Sequence, residues 1–565
     1  MRSAQMVKPS TNIEEKLDKF YLTFEQLSYF QTVNKSKKVI LFLSMGCQNE
    51  RADVLNVYQP SFKEAWKQAK KNAMKHADKS NRNYEWIKID VVEKEEILTI
   101  EEFIQLISST KKNYFRKGVS FDEHYQFSFL EQELNGNAII QVDSQKKRGF
   151  IQQRNMQHYI KKHRPFLSKV TFLNRVKEVR IFNTRSFFYD EKGKLVTLKQ
   201  TDLDNGRRNE ELDQKQVKEL ITKSSTFLAD QVQHNGKFIY GYFSCFDKEI
   251  HFYNILRHAS TLYAMAEAYE LFPNEDLKKA IQRGLSYLKD KGSRTYYKNG
   301  QELAYLIDGE TPEKEEIKLG ANAAAILALT KYQEVFDDKT YLPFAMMLGD
   351  GILQMQDHTG RFDHVLYTHS LELKERFRIV YYDGEAAFAL MRLYAVNSDE
   401  KWITSVEKAF SYFIEKNHWR HHDHWLSYCT NELTKYRPKR EYFIFGLKNV
   451  SNKLSFIYQR HTTYPTFLEL TLAGWNMTKR MEVKGFSDLL TDGIQERIEQ
   501  TIHKRADYQR NGFFYPETAM YFKNPKRILG SFFIRHHSFR SRIDDSEHYL
   551  SGYCAYYKFL TGVES

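Results

Sequence analysis

The sequence predicts an α+β protein: a mixed α/β domain over residues 1–205, then an all-α (α/α)6 toroid over 206–565, built from six outer/inner helix pairs. Three observations predict it. Strand-like and helix-like hydrophobic patterns interleave through the first 200 residues. Past about residue 208, helical patterns alternate strictly between two kinds, one amphipathic with a charged face and one apolar nearly all round. Each segment of the second kind opens with a cluster of polar side chains.

In the first region the apolar run over 38–45 reads as a strand, and 61–77 as a helix with Ser61 as its N-cap. Residues 84–92 alternate like a second strand. A helix around 100–109, a strand over 137–142 and a helix around 150–163 follow. Residues 178–200 read as a hairpin turning at 190–194. The region holds neither GxGxxG nor a GxxxxGK motif followed by Ser or Thr, so no cofactor is expected and nothing here names a ligand.

Beyond it, the amphipathic segments start near 210, 274, 341, 401, 440 and 487, and the small-residue-rich apolar ones near 253, 318, 381, 423, 463 and 542. A helix apolar on one stripe belongs outside; one apolar all round belongs inside. Six such pairs close naturally into a ring, and Ala and Gly on the inner set allow close approach. An open α-solenoid uses the same alternation but keeps a near-constant repeat. Here the inner starts are spaced from 40 to 79 residues apart, which suits a closed ring whose loops build a site on one face.

In such a ring the inner helices run parallel, so their N-termini share one mouth. The first start holds Tyr253, Asn254, Arg257 and His258, and the second Lys318 and Asn322. The third holds Tyr381, Tyr382, Asp383 and Glu385, and the fourth Asp423, His424 and Trp425. The fifth holds His461, Thr462, Thr463 and Tyr464, and the sixth Arg542, Asp544, Asp545, Glu547 and His548. Helix N-termini favour anionic groups. The plain alternative is capping, which Asp383, Asp423 and Asp544 suit, and a lone histidine on an apolar helix is ordinarily a satisfied core group. Capping does not account for Arg257, His258, Glu385, His424 or His548, which are costly to bury without partners.

Glycosidic hydrolysis needs two carboxylates; Glu385 and Asp544 are the candidates, with Asp383 and Asp545 behind them. Epimerisation needs a proton taken and returned, commonly by histidines; His258, His424 and His548 are the candidates. Arg257 would hold a carboxylate or phosphate. Tyr253, Tyr382, Trp425 and Tyr464 would stack on sugar faces, and Asn254, Asn322, His461, Arg542, Asp545 and His548 complete the expected binding set.

Composition narrows the partners. Aromatics form 15% of the chain, with 36 Tyr, which suit half-wet surfaces such as sugar clefts as well as ordinary core. Basic residues exceed acidic ones by 85 − 72 = 13, which favours anionic partners. They are scattered and accompany no nucleic-acid motif, so nucleic acid is not expected as a partner. The four cysteines, Cys47, Cys245, Cys429 and Cys554, form no CxxC pair and no zinc spacing. Neither disulfides nor a metal are expected, and reduced thiols fit a cytoplasmic protein. No apolar run approaches the roughly 18 residues of a membrane span, and the first 20 residues lack the apolar core of a signal peptide.

The second and third inner segments, with the starts "LGANAAA" and "YDGEAAFAL" and the loop 357–366, resemble the six-hairpin, (α/α)6 glycosidase-like superfamily over roughly 208–565. That superfamily includes unsaturated-glucuronyl hydrolases, N-acylglucosamine 2-epimerases and lanthionine-synthetase-like toroids. The resemblance implies a carbohydrate-active hydrolase or epimerase acting on a sugar or anionic glycan at the toroid mouth. The zinc pattern of the lanthionine-synthetase-like branch is not matched around Cys429 and Cys554, so no metal is carried over. The first 200 residues resemble no named family. Two other expectations stand beside this one. The first is a non-catalytic glycan-binding or scaffold protein in a cell-envelope polysaccharide pathway, associated with other envelope-glycan enzymes. The second is modification of peptide or prenyl substrates.

Overall fold

The computed structural model describes residues 9–563 except 144, 146–147, 165–175, 202, 299 and 492. The chain opens with a helix, Pro9–Glu25, that the sequence reading did not pick out. Its Ile13, Leu17, Phe20 and Phe24 recur at helical spacing and are buried. A second helix, Phe62–Ser80, starts as expected, with Ser61 Oγ accepting from the Glu64 N–H.

These helices cover one face of a sheet with the strand order Asp53–Gln59, Val39–Gly46, Trp86–Thr99, Glu178–Tyr189, Gly118–Ser120, Ser128–Phe129, and with Leu195–Leu198 also paired to Glu178–Tyr189. All these pairings are antiparallel. Alternation along Val39–Gly46 fills two cores: Val39, Leu41, Leu43 and Met45 face the helices, while Ile40 and Phe42 face the other side. The expected hairpin forms between Glu178–Tyr189 and Leu195–Leu198. Strands Asp53–Gln59, Gly118–Ser120 and Ser128–Phe129 were not anticipated.

The helical part follows the expected rhythm. Inner helices Ile255–Leu271, Leu319–Phe336, Tyr381–Asn397, His424–Tyr436, Thr466–Val483 and Ile543–Thr561 each pack against the next, and the last closes on the first. Outer helices Gln214–Gln231, Glu275–Asp290, Leu342–Leu353, Glu400–Glu415, Arg440–Ser451 and Ile494–Gln509 lie around them. The fifth outer segment breaks at Asn452 and resumes as Leu454–Gln459. Two glycines permit the close contacts that shape the mouth. A Cβ at Gly320 would stand 2.3 Å from Glu385 Oε2, and one at Gly384 2.4 Å from Asp423 Oδ2.

The ring is not purely α. Its connections carry antiparallel strands, Ser293–Lys298 with Gln301–Leu306, and Glu316–Lys318 with Val365–Tyr367 and Leu373–Glu375. Leu303, Ala304, Tyr305 and Leu306 are buried, and backbone buried with them needs hydrogen-bond partners that a bare loop does not supply. Among the described residues no helix is long and apolar enough to cross a membrane. The four cysteines are unpaired.

The sheet's second face is closed by the segment between the last outer and last inner helix. Met520 and Tyr521 join Ile40, Phe42, Trp86, Phe182 and Phe188 in one core. Tyr521 Oη donates to Ser44 Oγ at 2.8 Å, and Arg535 Nη1 lies 3.1 Å from Glu131 Oε1. The sequence reading expects a ring freed of the first region to fold alone. Losing burial of Met520 and Tyr521 costs about 1.5–3 kcal/mol each, so a 206–565 fragment is expected to melt below the full chain and to bind a hydrophobic dye. Identical melting temperatures by calorimetry would show that the ring stands by itself.

Candidate active site

Five of the six inner-helix N-termini line one chamber; the second, that of Leu319–Phe336, contributes no lining residue. Two inner helices, the first and the fourth, start at side-chain caps, and the other four start without one. On the first helix, Asn254 Oδ1 caps by accepting from the Arg257 N–H at 3.2 Å, which fixes the turn that carries Arg257. On the fourth, Asp423 caps by accepting from the Trp425 and Leu426 N–H groups, and Asn449 braces it from the neighbouring outer helix. His424 and Trp425 follow at once.

The chamber has a volume of about 170 Å³, small beside the roughly 300–1,000 Å³ of drug-sized sites, so it suits one small unit rather than a chain. Arg257, Tyr382, Glu385, His424 and Trp425 line it, joined by Tyr464, Arg542, Asp544, Asp545 and His548. The helical ring is an (α/α)6 toroid.

At its centre His424 and His548 meet edge to face, with ring centroids 5.3 Å apart and planes at 79°. The surroundings decide the tautomer of His548. Arg257 Nη1, which can only donate, lies 3.4 Å from His548 Nε2, so Nε2 is the acceptor. Nδ1 then carries the hydrogen and donates to Glu469 Oε2 at 3.1 Å. His424 Nδ1 faces Asp423 Oδ1 at 3.3 Å, and its Nε2 is buried without a hydrogen-bond partner. Glu385 Oε2 is likewise buried and unbonded. Buried polar atoms are normally paired, so these two groups mark where a polar ligand would sit.

Burial dominates the electrostatics. It pushes Glu385 well above the usual carboxylate range, with Arg257 opposing. It pushes Glu469 up to about 8, with His424 opposing, and Glu547 up to about 7, with His548 opposing. Asp545 is raised to about 6 by burial against its bond from Arg542. Burial lowers His548. Against the cost of its own burial, Asp544, Glu547 and Glu385 hold Arg257 above the ordinary guanidinium value. Glu385 and Glu469 are thus held protonated at neutral pH, beside two cations, Arg257 and Arg542.

The other expected residues lie outside the chamber, each for a visible reason. His258 is a satisfied core histidine: its Nε2 donates to the Gly284 carbonyl at 3.0 Å, its Nδ1 accepts from Tyr253 Oη at 2.6 Å, and it stacks on Tyr287. Burial drops it to about 4. Tyr253 is thereby occupied, and Asn254 is the cap described above. Asn322 ties the Leu306 N–H to the Lys318 carbonyl. Asp383 faces His364 Nε2 at 3.5 Å and anchors that loop. His461 is exposed.

Glu469 was missed, although it sits in the first turn of the fifth inner helix, a register comparable to that of Glu385 on the third. Glu547 was noticed but given no role, and it takes a bond from Ser260 at 2.9 Å. Among the described residues, His424, Glu469 and His548 form the one group whose ligand-type atoms lie within 4.8 Å of one another. The Arg257 guanidinium beside His548 and the protonated state of Glu469 oppose a cation there.

No protein-family model matches the chain, and no curated protein sequence is similar to it. Solved structures similar to the toroid include a D-mannose isomerase, at 12% identity and a TM-score of 0.44, covering 62% of this chain and 98% of that one. The cellobiose 2-epimerase of Bacillus thermoamylovorans shares 15% identity at a TM-score of 0.40, covering 51% of this chain and 87% of that one. An α-1,6-mannanase of a Salegentibacter species shares 13% identity at a TM-score of 0.40, covering 62% and 100%.

Proposed function

We propose that the chamber moves a proton on the carbon next to a sugar carbonyl, the step common to sugar isomerases and epimerases. The observation that supports this is the histidine pair. His548 offers Nε2 as an acceptor, in a long 3.4 Å contact with Arg257 Nη1, its other nitrogen held by Glu469, and His424 presents an unbonded Nε2 beside it. His548 would remove the C–H proton, Arg257 would stabilise the enediolate oxyanion formed on the carbonyl oxygen, and His424 would protonate the neighbouring carbon as the hydroxyl proton passes from one oxygen to the other. The two rings lie side by side, with centroids 5.3 Å apart. That arrangement suits transfer between neighbouring carbons better than inversion at one.

A second reading keeps glycosidic hydrolysis. Glu385 is held protonated, as a general acid must be, and Asp544, 3.8 Å from Arg257 and 3.4 Å from Arg542, is the second carboxyl group such a mechanism needs. The division into residues 1–205 and a toroid 206–565 belongs to this proposal too, with the toroid holding the chemistry.

One experiment separates the readings. Aldoses and ketoses incubated with the protein in D2O should gain deuterium at C1 or C2, followed by NMR. Glu385→Gln should slow that exchange by no more than about tenfold, because an amide still donates a hydrogen bond. Release of sugar from aryl glycosides, lost in Glu385→Gln, would establish hydrolysis instead. Neither activity on any sugar would leave the binding-module expectation standing.

A further inference from the structure

The chamber's rim carries positive charge that proton transfer does not use. Part of it comes from the first region of the chain. The loop after helix Ile100–Ser109 reaches the toroid mouth, where Asn113 Nδ2 donates to the Arg535 carbonyl at 2.8 Å and the Tyr114 ring lies 6.3 Å from that of His536. Lys111 and Lys112 are on this loop. Facing them, His536 and His537 have ring centroids 4.5 Å apart, and His537 lines the chamber. Arg460 lies over the ring of Tyr464, another chamber residue, at 5.3 Å. Arg540 completes the group, its Nε donating to the His537 carbonyl at 3.1 Å.

Among the described residues, none of Lys111, Lys112, Arg460 and Arg540 forms an ion pair with a carboxylate. The Nδ1 atoms of His536 and His537 are buried and have no hydrogen-bond partner. Burial, and after it the surrounding cations, push both histidines down to about 4. Inside the chamber the picture is opposite: Arg542 is taken by Asp545 at 2.8 and 2.9 Å, and Arg257 is surrounded by carboxyls. The uncompensated charge is therefore at the rim, where His537 lines the chamber.

We propose that this rim binds the phosphate or carboxylate group of an anionic sugar whose ring occupies the chamber. An oxyanion there would accept from Lys111 and Arg460, and from the two histidines once its charge draws protons onto them. The proposal rests on the chamber being a sugar site, and it gives the first region a role: supplying Lys111 and Lys112 to select the substrate.

The test is calorimetric binding, read without turnover. Glucose, mannose and N-acetylglucosamine are each compared with their 6-phosphates, and glucose with glucuronate. The anionic member of at least one pair should bind about tenfold or more tightly, as charge-assisted hydrogen bonds imply, and the advantage should shrink with added salt. The Lys111→Gln/Arg460→Gln double variant, shown folded by its melting curve, should lose the advantage and keep the neutral sugar's affinity. No pair with an anionic advantage, or an advantage that survives the double variant, overturns the proposal. Anion preference without isotope exchange in any sugar would sink the proton-transfer reading and leave the rim intact. Exchange on neutral sugars with no anion preference would do the reverse.

Discussion

Replacing His548 with glutamine should lower kcat for deuterium exchange by about 10²–10⁴-fold, the usual worth of a positioned general base. Glutamine can still donate to Glu469 and fill most of the space. The melting temperature should therefore change little, since what is lost is a basic nitrogen and not a packing contact. Glu469→Gln should cost less, about tenfold, because the amide oxygen still accepts from Nδ1 and keeps the ring oriented while the proton-sharing partner is gone. The two variants separate base from orienter: only the first should erase the dependence of kcat on ionisation of the histidine. A kcat for His548→Gln within about threefold of wild type would remove the histidine pair from the mechanism.

Much of the toroid was readable because its signal is periodic. Twelve helices of two alternating kinds survive any single misjudged residue, and the inner starts at 255, 319, 381, 424, 466 and 543 lie within three residues of expectation. Arg257, Glu385, His424 and His548 were legible for a related reason: each is expensive to bury, and their common register implies a common place. His258 failed the same logic. It sits one residue from Arg257, and on a helix adjacent residues point about 100° apart, so only one of the two can face the axis. Asn254 and Asp383 were ambiguous between cap and ligand, and sequence alone carries nothing that separates those roles. Glu469 was overlooked because a Glu in the first turn of a helix is unremarkable until the helix is known to be inside a ring. In the first region, Asp53–Gln59 mixes polar and apolar residues without clean alternation, since the strand is an edge. The convergence of Lys111, Arg460 and His537 joins loops hundreds of residues apart, and no local pattern announces it.

Arg257→Gln should be the most damaging single change, with a signature in pH. Asp544, Glu547 and Glu385 share this cation, so its removal strands buried carboxyls around an empty position. Breaking a fully buried pair costs about 3–5 kcal/mol; Arg257 keeps 30% side-chain exposure, so about 2–3 kcal/mol is expected here. The sign of the pH dependence follows from linkage. Burial pushes Glu547 up to about 7 in the folded chain, above its ordinary 4.5, so it binds more protons folded than unfolded across that window. Its contribution to stability is complete below about 4.5 and is lost as pH rises through 7. Arg257 lowers the folded values of Glu547 and Glu385; without it they rise further, and the loss grows. The deficit of Arg257→Gln in urea unfolding should therefore be small near pH 4.5 and largest above pH 8, where these carboxyls are ionised in the unfolded chain and cannot ionise cheaply in the folded one. Catalysis should fall at every pH by about 10²–10³-fold, because the oxyanion loses its donor. A stability deficit equal at both ends of the range would mean that Arg257 acts by packing its stem alone, and the account of a chamber organised around one shared cation would fail with it.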